Sequence, residues 1–427
     1  MKKVRDGYKM TELGEIPSEW EVKNIGEVAK FQGGYAFKSS DYVEDGIRLV
    51  KITNVQQKNI SWNEEDLLPV KYLEKFNEYK LQEDDVVIAM TRPIISTGIK
   101  VCKIEKRDLP CLLNQRVGRF IIKDSLISKY LYNYCFTDYF INKVKELCST
   151  TGQPNISANQ IESILITIPS VKEQEKIASI LSTVDEQIDN VDALIEKNKE
   201  LKKGLMQTLL TKGIGHTKFK TTEIGEIPEE WEVSNLTNIV DIKGRVGWKG
   251  YTKKDLVEFG PLAIGAMHIN SNNKLDLSEP VYLSKKKYEE SPEIMVSKDD
   301  IILAQRGSLG KVVLIEKEIG EATINPSMVL IKNIKINSRY LYYFLCSEYI
   351  QKVIFKETSQ TSIPMISQEQ IGKFKIIIPT IKEQEKIASI LSEVDKKIEE
   401  YENKKQKLKE LKKGLMQKLL TGSIRVF

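Results

Sequence analysis

Side chains able to fork hydrogen bonds onto a planar ligand gather in short loops at the ends of apolar runs. In the first half they are Gln32, Tyr35, Lys38, Arg92, Gln115, Arg116, Gln153 and Asn155. In the second they are Lys243, Arg245, Trp248, Lys249, Tyr251, Gln305, Arg306, Gln360 and Thr361. Arg, Lys, Asn and Gln can reach base edges, while Lys, Ser, Thr and backbone amides hold phosphates, so the chemistry on offer is recognition of a nucleic acid. Tyr35 and Phe37 also suit a core, and Trp20 and Trp231 suit it better still.

Chemistry that breaks bonds finds little material. An adenine methyltransferase needs an Asn/Asp-Pro-Pro-aromatic loop and a Gly-rich strand end for its cofactor. Asn325, Pro326, Ser327 and Met328 come closest but lack the second proline and the stacking aromatic, and the aligned first copy reads Asn114, Gln115 and Arg116. No GxxxxGK(S/T) phosphate loop exists, and Gly310 with Lys311 reads as a hairpin fragment. His216 and His268 are the only histidines and the five cysteines show no CxxC spacing, so zinc and His-based acid/base chemistry are not expected. Carboxylate-lysine triplets of a nuclease kind arise by chance among 65 Lys and Arg and 60 Asp and Glu. The expectation is a non-catalytic chain with no cofactor or metal of its own.

The loops are positioned by a unit written twice. KEQEKIASILS at 172–182 recurs unchanged at 382–392, and LKKGLMQTLLT at 201–211 recurs as LKKGLMQKLLT at 411–421. The same offset aligns SKYLYNYCFTDY at 128–139 with SRYLYYFLCSEY at 338–349, and ILITIP at 164–169 with FKIIIP at 374–379. TELGEIPSEWEVKN at 11–24 returns as TEIGEIPEEWEVSN at 222–235, whereas the middle portions diverge most. A duplication of this length fixes the architecture before any local reading.

Ser170 and Thr380 can cap a helix, with Glu173 and Glu383 reaching back three residues later. Apolar positions then alternate at four and three: Ile177, Leu181, Val184, Ile188, Val191 and Ile195, and Ile387, Leu391, Val394, Ile398 and Tyr401. This is a coiled-coil seam. Each pattern runs on toward Gly213 or Gly422, which predicts helices about 60 Å long. Gly204 and Gly414 are expected either to let the two helices approach closely or to kink them. The Lys-rich run at 403–413 reads as a solvated helix face.

Upstream, EDDVVIAMTR at 83–92 and KDDIILAQRG at 298–307 read as a turn, a buried strand and an Arg at the exit. Further strands fall near 99–104, 116–122 and 163–168, with a helix near 128–146. The fold class predicted is α+β: globular domains at 1–169 and 213–379, and long helices at 170–212 and 380–427 packed as an antiparallel coiled coil, the whole a pseudo-twofold repeat. TKGIGHTKFKTTEIGEIP at 211–228 joins the copies. Net charge is only +5, so composition permits nucleic-acid binding without requiring it. With neither an apolar leader nor a membrane-length apolar stretch, a cytoplasmic protein with buried free thiols is expected.

GEIPxxWEV opening each copy, KEQEKIASIL opening each helix, GGYAFKSSDY at 33–42, VKITNV at 50–55 and NQR at 114–116 together resemble the specificity subunit of type I restriction-modification systems. The resemblance spans essentially the whole chain, although the second copy departs from it with GRVGWKGYTKKD at 244–255 and NPS at 325–327. It implies two target-recognition domains reading an asymmetric, two-part site on double-stranded DNA, with the helices as ruler and docking surface. A separation of about 60 Å would cap the half-site spacing at roughly 18 base pairs. It also implies two methylation subunits using S-adenosylmethionine, restriction subunits using ATP and Mg, and no membrane partner. The alternative is a coiled-coil scaffold that binds only proteins.

Overall fold

The computed structural model describes residues 4–149, 154–245, 250–358 and 364–426. The chain divides into two compact units, residues 1–192 with 403–427 and residues 193–402. Each therefore takes in one globular portion, the first half of one long helix and the last half of the other.

In the first unit, a four-stranded antiparallel sheet runs in the order Val101–Lys103, Val86–Ala89, Val117–Ile122, Ala29–Gly33. Its strands are short and β-branched, and Val86 to Ala89 are all buried, as a strand covered on both faces requires. A smaller sheet pairs Cys111–Leu113 with Ile47–Val50 in parallel, and Ile47–Val50 with Leu67–Leu68 antiparallel. The hairpin Tyr8–Thr11/Gly14–Pro17 and the pair Glu21–Asn24/Leu165–Ile168 close the unit. The expected single helix is two, Ser128–Tyr134 and Asp138–Ser149.

The second unit repeats this order. Its four-stranded sheet runs Asp241–Gly244, Met328–Lys332, Ile301–Ala304, Val312–Leu314. Its smaller sheet is Tyr282–Leu283, Leu256–Ile264, Ala322–Ile324, and its helix pair is Ser338–Leu345 and Glu348–Thr358. The α+β class and the duplicated architecture expected from the repeat are present in both units.

The long helices are Val171–Leu209 and Ile381–Leu419, 39 residues each, or about 58 Å. Within the first unit they run antiparallel: Asp185 pairs with Lys412, and seven residues on Asp192 pairs with Lys405, seven residues back. In the second unit Asp395 pairs with Lys202 at 2.7 Å, the repeat equivalent of Asp185 with Lys412. The seam residues Ile177, Leu181, Val184, Ile188, Val191, Ile195, Ile387, Leu391, Val394 and Ile398 are buried, and Tyr401 is half-buried. Ile177 and Leu181 join the first globular core beside Trp20, Leu419 and Leu420, and Ile387 and Leu391 join the second beside Trp231, Leu209 and Leu210. A seam so divided ties each helix to its own globule as well as to the other helix.

Two helix expectations are corrected. Gly204 and Gly414 lie at no close approach, since a Cβ on either meets nothing within 4 Å. Ser170 and Thr380 do accept from the Glu173 and Glu383 amides, at 3.3 and 3.4 Å, but the glutamates' carboxylates turn inward instead of reaching back. Glu173 accepts from Trp20 Nε1 (3.0 Å) and Arg425 Nε (2.7 Å), and Glu383 accepts from Trp231 Nε1 (2.9 Å) and meets His216 Nε2 (2.9 Å). Each carboxylate, buried at Glu173 and half-buried at Glu383, is thus shared by an indole and a nitrogen-bearing side chain, Arg425 or His216, delivered from just beyond a long helix. Gly213 and Gly422 make these turns, both with φ near +70°, and a Cβ on Gly213 would stand 2.5 Å from the Trp231 ring.

Buried polar residues do equivalent work in the two globules. Asn54 accepts from Lys51 N and donates to Ser61 O and Glu64 O at 2.8 to 3.0 Å. His268 accepts at Nδ1 from Gly265 N (2.9 Å) and faces Glu279 O with Nε2 (3.1 Å). Asn54→Ala strands three backbone groups, and a loss of about 2–4 kcal/mol in unfolding free energy is expected, measured by denaturant titration. Cys102, Cys111, Cys135 and Cys148 are buried thiols and Cys346 is a half-buried one. Among the described residues no helix is long and apolar enough to cross a membrane.

Candidate nucleic-acid interface

At one end of the first unit's main sheet, Gly33, Ala89 and Val117 stand side by side, so three loops leave together. Backbone bonds tie them: Tyr35 N donates to Leu113 O (3.0 Å), Gln115 N to Tyr35 O (2.9 Å) and Met90 N to Arg116 O (2.9 Å). A fourth loop joins through Arg92 N to Pro154 O (2.7 Å) and an antiparallel bridge between Thr91 and Asn155. Gly34 is required here, because a Cβ would fall 2.3 Å from Leu113 O. The edge presents Lys38, Arg92, Gln115 and Arg116 to solvent, with Asn155 half-buried among them. Arg92 holds a positive φ of 47°, unusual for a residue with a side chain, and this turns the chain sharply at the strand exit.

Tyr35 is 40% exposed and belongs to an aromatic group with Phe37, Phe76 and Tyr79, ring centroids 4.6 to 5.5 Å apart. Phe37, Trp20 and Trp231 are core. Gln32 is corrected: its Oε1 accepts from Arg119 Nε (2.9 Å) and its Nε2 donates to Glu78 O (3.1 Å), so both ends of the amide are internal. Arg119 spends its fork on Lys80 O, Glu78 O and Asp85 in the same way.

The second unit gathers the corresponding loops where Gly244, Ala304 and Met328 end their strands. Gln305 N donates to Ser327 O (2.9 Å), Ile366 N to Gln305 O (3.0 Å), and Arg306 bridges Met365. Lys243 and Arg306 are exposed, while Gln305 is half-buried and donates to Pro326 O. Arg245 is corrected. It is buried, with Nε on Ile324 O (3.2 Å), Nη2 on Thr323 Oγ1 (2.9 Å) and its guanidinium 5.5 Å from the Tyr251 ring. Burial pushes the Arg245 pKa below, and the Tyr251 pKa above, their ordinary values, each partly offset by the other. Arg245 therefore spends its donors inside the unit, beside Tyr251. Gln153, Trp248, Lys249, Gln360 and Thr361 lie outside the described residues.

Sequence reasoning missed Thr91 and Met365, the bridge partners of Asn155 and Arg306, because nothing near them in sequence signals the pairing. It also missed Lys100 and Lys311, whose Nζ atoms reach inward to Ile52 O and Ile269 O and anchor the following strands.

Both units thus present a sheet edge whose polar side chains stand on loops tied together by backbone hydrogen bonds. The family of type I restriction modification DNA specificity domains matches the chain twice, over residues 17–201 and 228–410. The chain is 31% identical over 435 residues to the type I restriction enzyme MjaVIII specificity subunit of Methanocaldococcus jannaschii, covering 96% of this chain and 94% of that one. It is 32% identical over 200 residues to the Escherichia coli EcoAI specificity subunit, covering 46% of this chain and 33% of that one. The crystal structure of the S subunit from M. genitalium has the same fold at 17% identity, with a TM-score of 0.58 over 98% of both chains. The chain therefore belongs to the type I restriction-modification DNA specificity family.

Proposed function

We propose that this chain recognises an asymmetric, two-part sequence on double-stranded DNA, each unit reading one part, and that its helices set the spacer and dock two methylation subunits. The observation that carries this reading is a contrast: the two edges keep one backbone frame but change the side chains on it, whereas the helices repeat nearly unchanged. Different edges suit different half-sites, and like helix surfaces suit two copies of one partner. The chain supplies recognition and no chemistry. S-adenosylmethionine belongs to the methylation subunits, and ATP and Mg2+ belong to restriction subunits that join for cleavage.

The test is to purify the chain with its methylation subunits and sequence the adenines methylated on random DNA. A two-part motif with a fixed gap is expected. A complex that methylates without sequence preference, or a chain that binds duplexes without discrimination, would favour the protein-binding scaffold. Arg92→Ala with Arg116→Ala is expected to weaken binding through the first half-site and reduce the slope of log affinity against log salt by up to about two, read by fluorescence anisotropy across a salt series.

A further inference from the structure

The two reading edges can be matched residue by residue through their hydrogen bonds. Met90 donates to Arg116 O and accepts from Ile156 N, as Gln305 donates to Ser327 O and accepts from Ile366 N, all at 2.9 to 3.0 Å. Thr91 bridges Asn155 as Arg306 bridges Met365. The next residues, Arg92 and Gly307, both take positive φ, 47° and 77°. Thr91 therefore corresponds to Arg306 and Asn155 to Met365.

The flanks of this couple do not change. Pro154, Ile156 and Ser157 stand where Pro364, Ile366 and Ser367 stand. Ser157 and Ser367 each open a capping box with Gln160 and Gln370, and Ile156 and Ile366 are buried. Between these fixed points one unit sets Thr beside Asn, and the other sets Arg beside Met. Arg306 is exposed, with a guanidinium nitrogen 2.8 Å from Met365 Sδ. A thioether restrains the long side chain without neutralising its charge, which leaves a pre-oriented fork.

We propose that this couple determines the sequence specificity of each unit, Arg306 steadied by Met365 taking a guanine in the second unit, while Thr91 beside Asn155, whose amide oxygen is buried, offers the first unit no such fork. The inference rests on the duplex-reading function above and adds the positions and the base class. Parallel N–H donors of Arg match the two major-groove acceptors of guanine, whereas a Thr at the equivalent position has one hydroxyl and no fork to match them. Because both couples hang on one backbone frame, exchanging them changes the chemistry and leaves the frame standing.

The test is a pair of grafts in the full chain bound to its methylation subunits, with methylated sites sequenced from random DNA. Arg306→Thr with Met365→Asn is expected to erase the preference for one G·C pair of the second half-site, lowering it there by roughly 10- to 100-fold. Thr91→Arg with Asn155→Met is expected to install a preference for G·C at one position of the first half-site. Persistence of the untouched half-site in each graft reports an assembled, folded complex. If both grafts leave the motif unchanged, or alter several positions at once, the inference is overturned. A wild-type complex with no motif would instead overturn the duplex-reading function itself.

Discussion

Replacing Leu201 and Leu411 together by Glu is expected to lower affinity for the methylation subunits at least about 100-fold while leaving the fold intact. The two leucines are each 51% exposed, in the LKKGLMQ segments that the long helices share. Three residues on, Gly204 and Gly414 have open space where a Cβ would point, although glycine inside a helix costs about 0.5–1 kcal/mol relative to alanine. An apolar residue left in water beside an uncovered glycine, present twice, suits a surface that another helix crosses at close range. A charge introduced there must be desolvated on docking, whereas in the free chain a solvated substitution shifts stability by no more than about 0.5 kcal/mol. Each single variant should retain one partner, so native mass spectrometry is expected to give one methylation subunit per chain for L201E or L411E and none for the double variant. Two partners bound to the double variant would place the docking surface elsewhere.

The second large effect is on stability. Trp231→Ala is expected to cost about 3–5 kcal/mol, and Trp20→Ala a similar amount. Both indoles are essentially fully buried, and each donates to the carboxylate that opens a long helix. Their loss leaves a cavity between the hairpin, the helix start and the turn made by Gly213 or Gly422. Phe in place of either Trp keeps most of the volume but removes the N–H, a hydrogen bond to a charged group worth about 1.5–3 kcal/mol. Denaturant titration followed by circular dichroism should rank wild type above Trp231→Phe, and that variant above Trp231→Ala. Equal midpoints for all three would mean that the carboxylate junction contributes nothing.

Much of this architecture was legible before any coordinates. The duplicated blocks announced two units, and the four-three spacing from Ile177 and Ile387 announced the helices, because both signals are local and periodic. The exits at Arg92 and Arg306 were also legible, since an apolar run ending in Arg needs no distant partner to be noticed. What escaped depends on contacts between residues far apart in sequence. Arg245 looked like a solvent-facing fork, but Thr323 and Ile324, nearly 80 residues away, take its donors. Gln32 was lost to Arg119 in the same way. Aligning the strand-exit arginines would set Arg92 against Arg306, yet the hydrogen-bond frame sets Thr91 there, one residue earlier. Gly204 and Gly414 were misplaced because a seam period says which helix face is apolar, not which other face a glycine leaves open.

The two units also differ in how their chain is gathered. The second is one continuous stretch, residues 193–402, whereas the first is completed only by residues 403–427. During synthesis from the N-terminus, the second unit holds all of its sequence while the first still waits for Leu419, Leu420 and Arg425 to fill its core and meet Glu173. The unit translated first is therefore the last to close. A chain lacking residues 403–427 would hold every residue of its second unit and a first unit without Leu419 and Leu420 in its core and without Arg425 on Glu173.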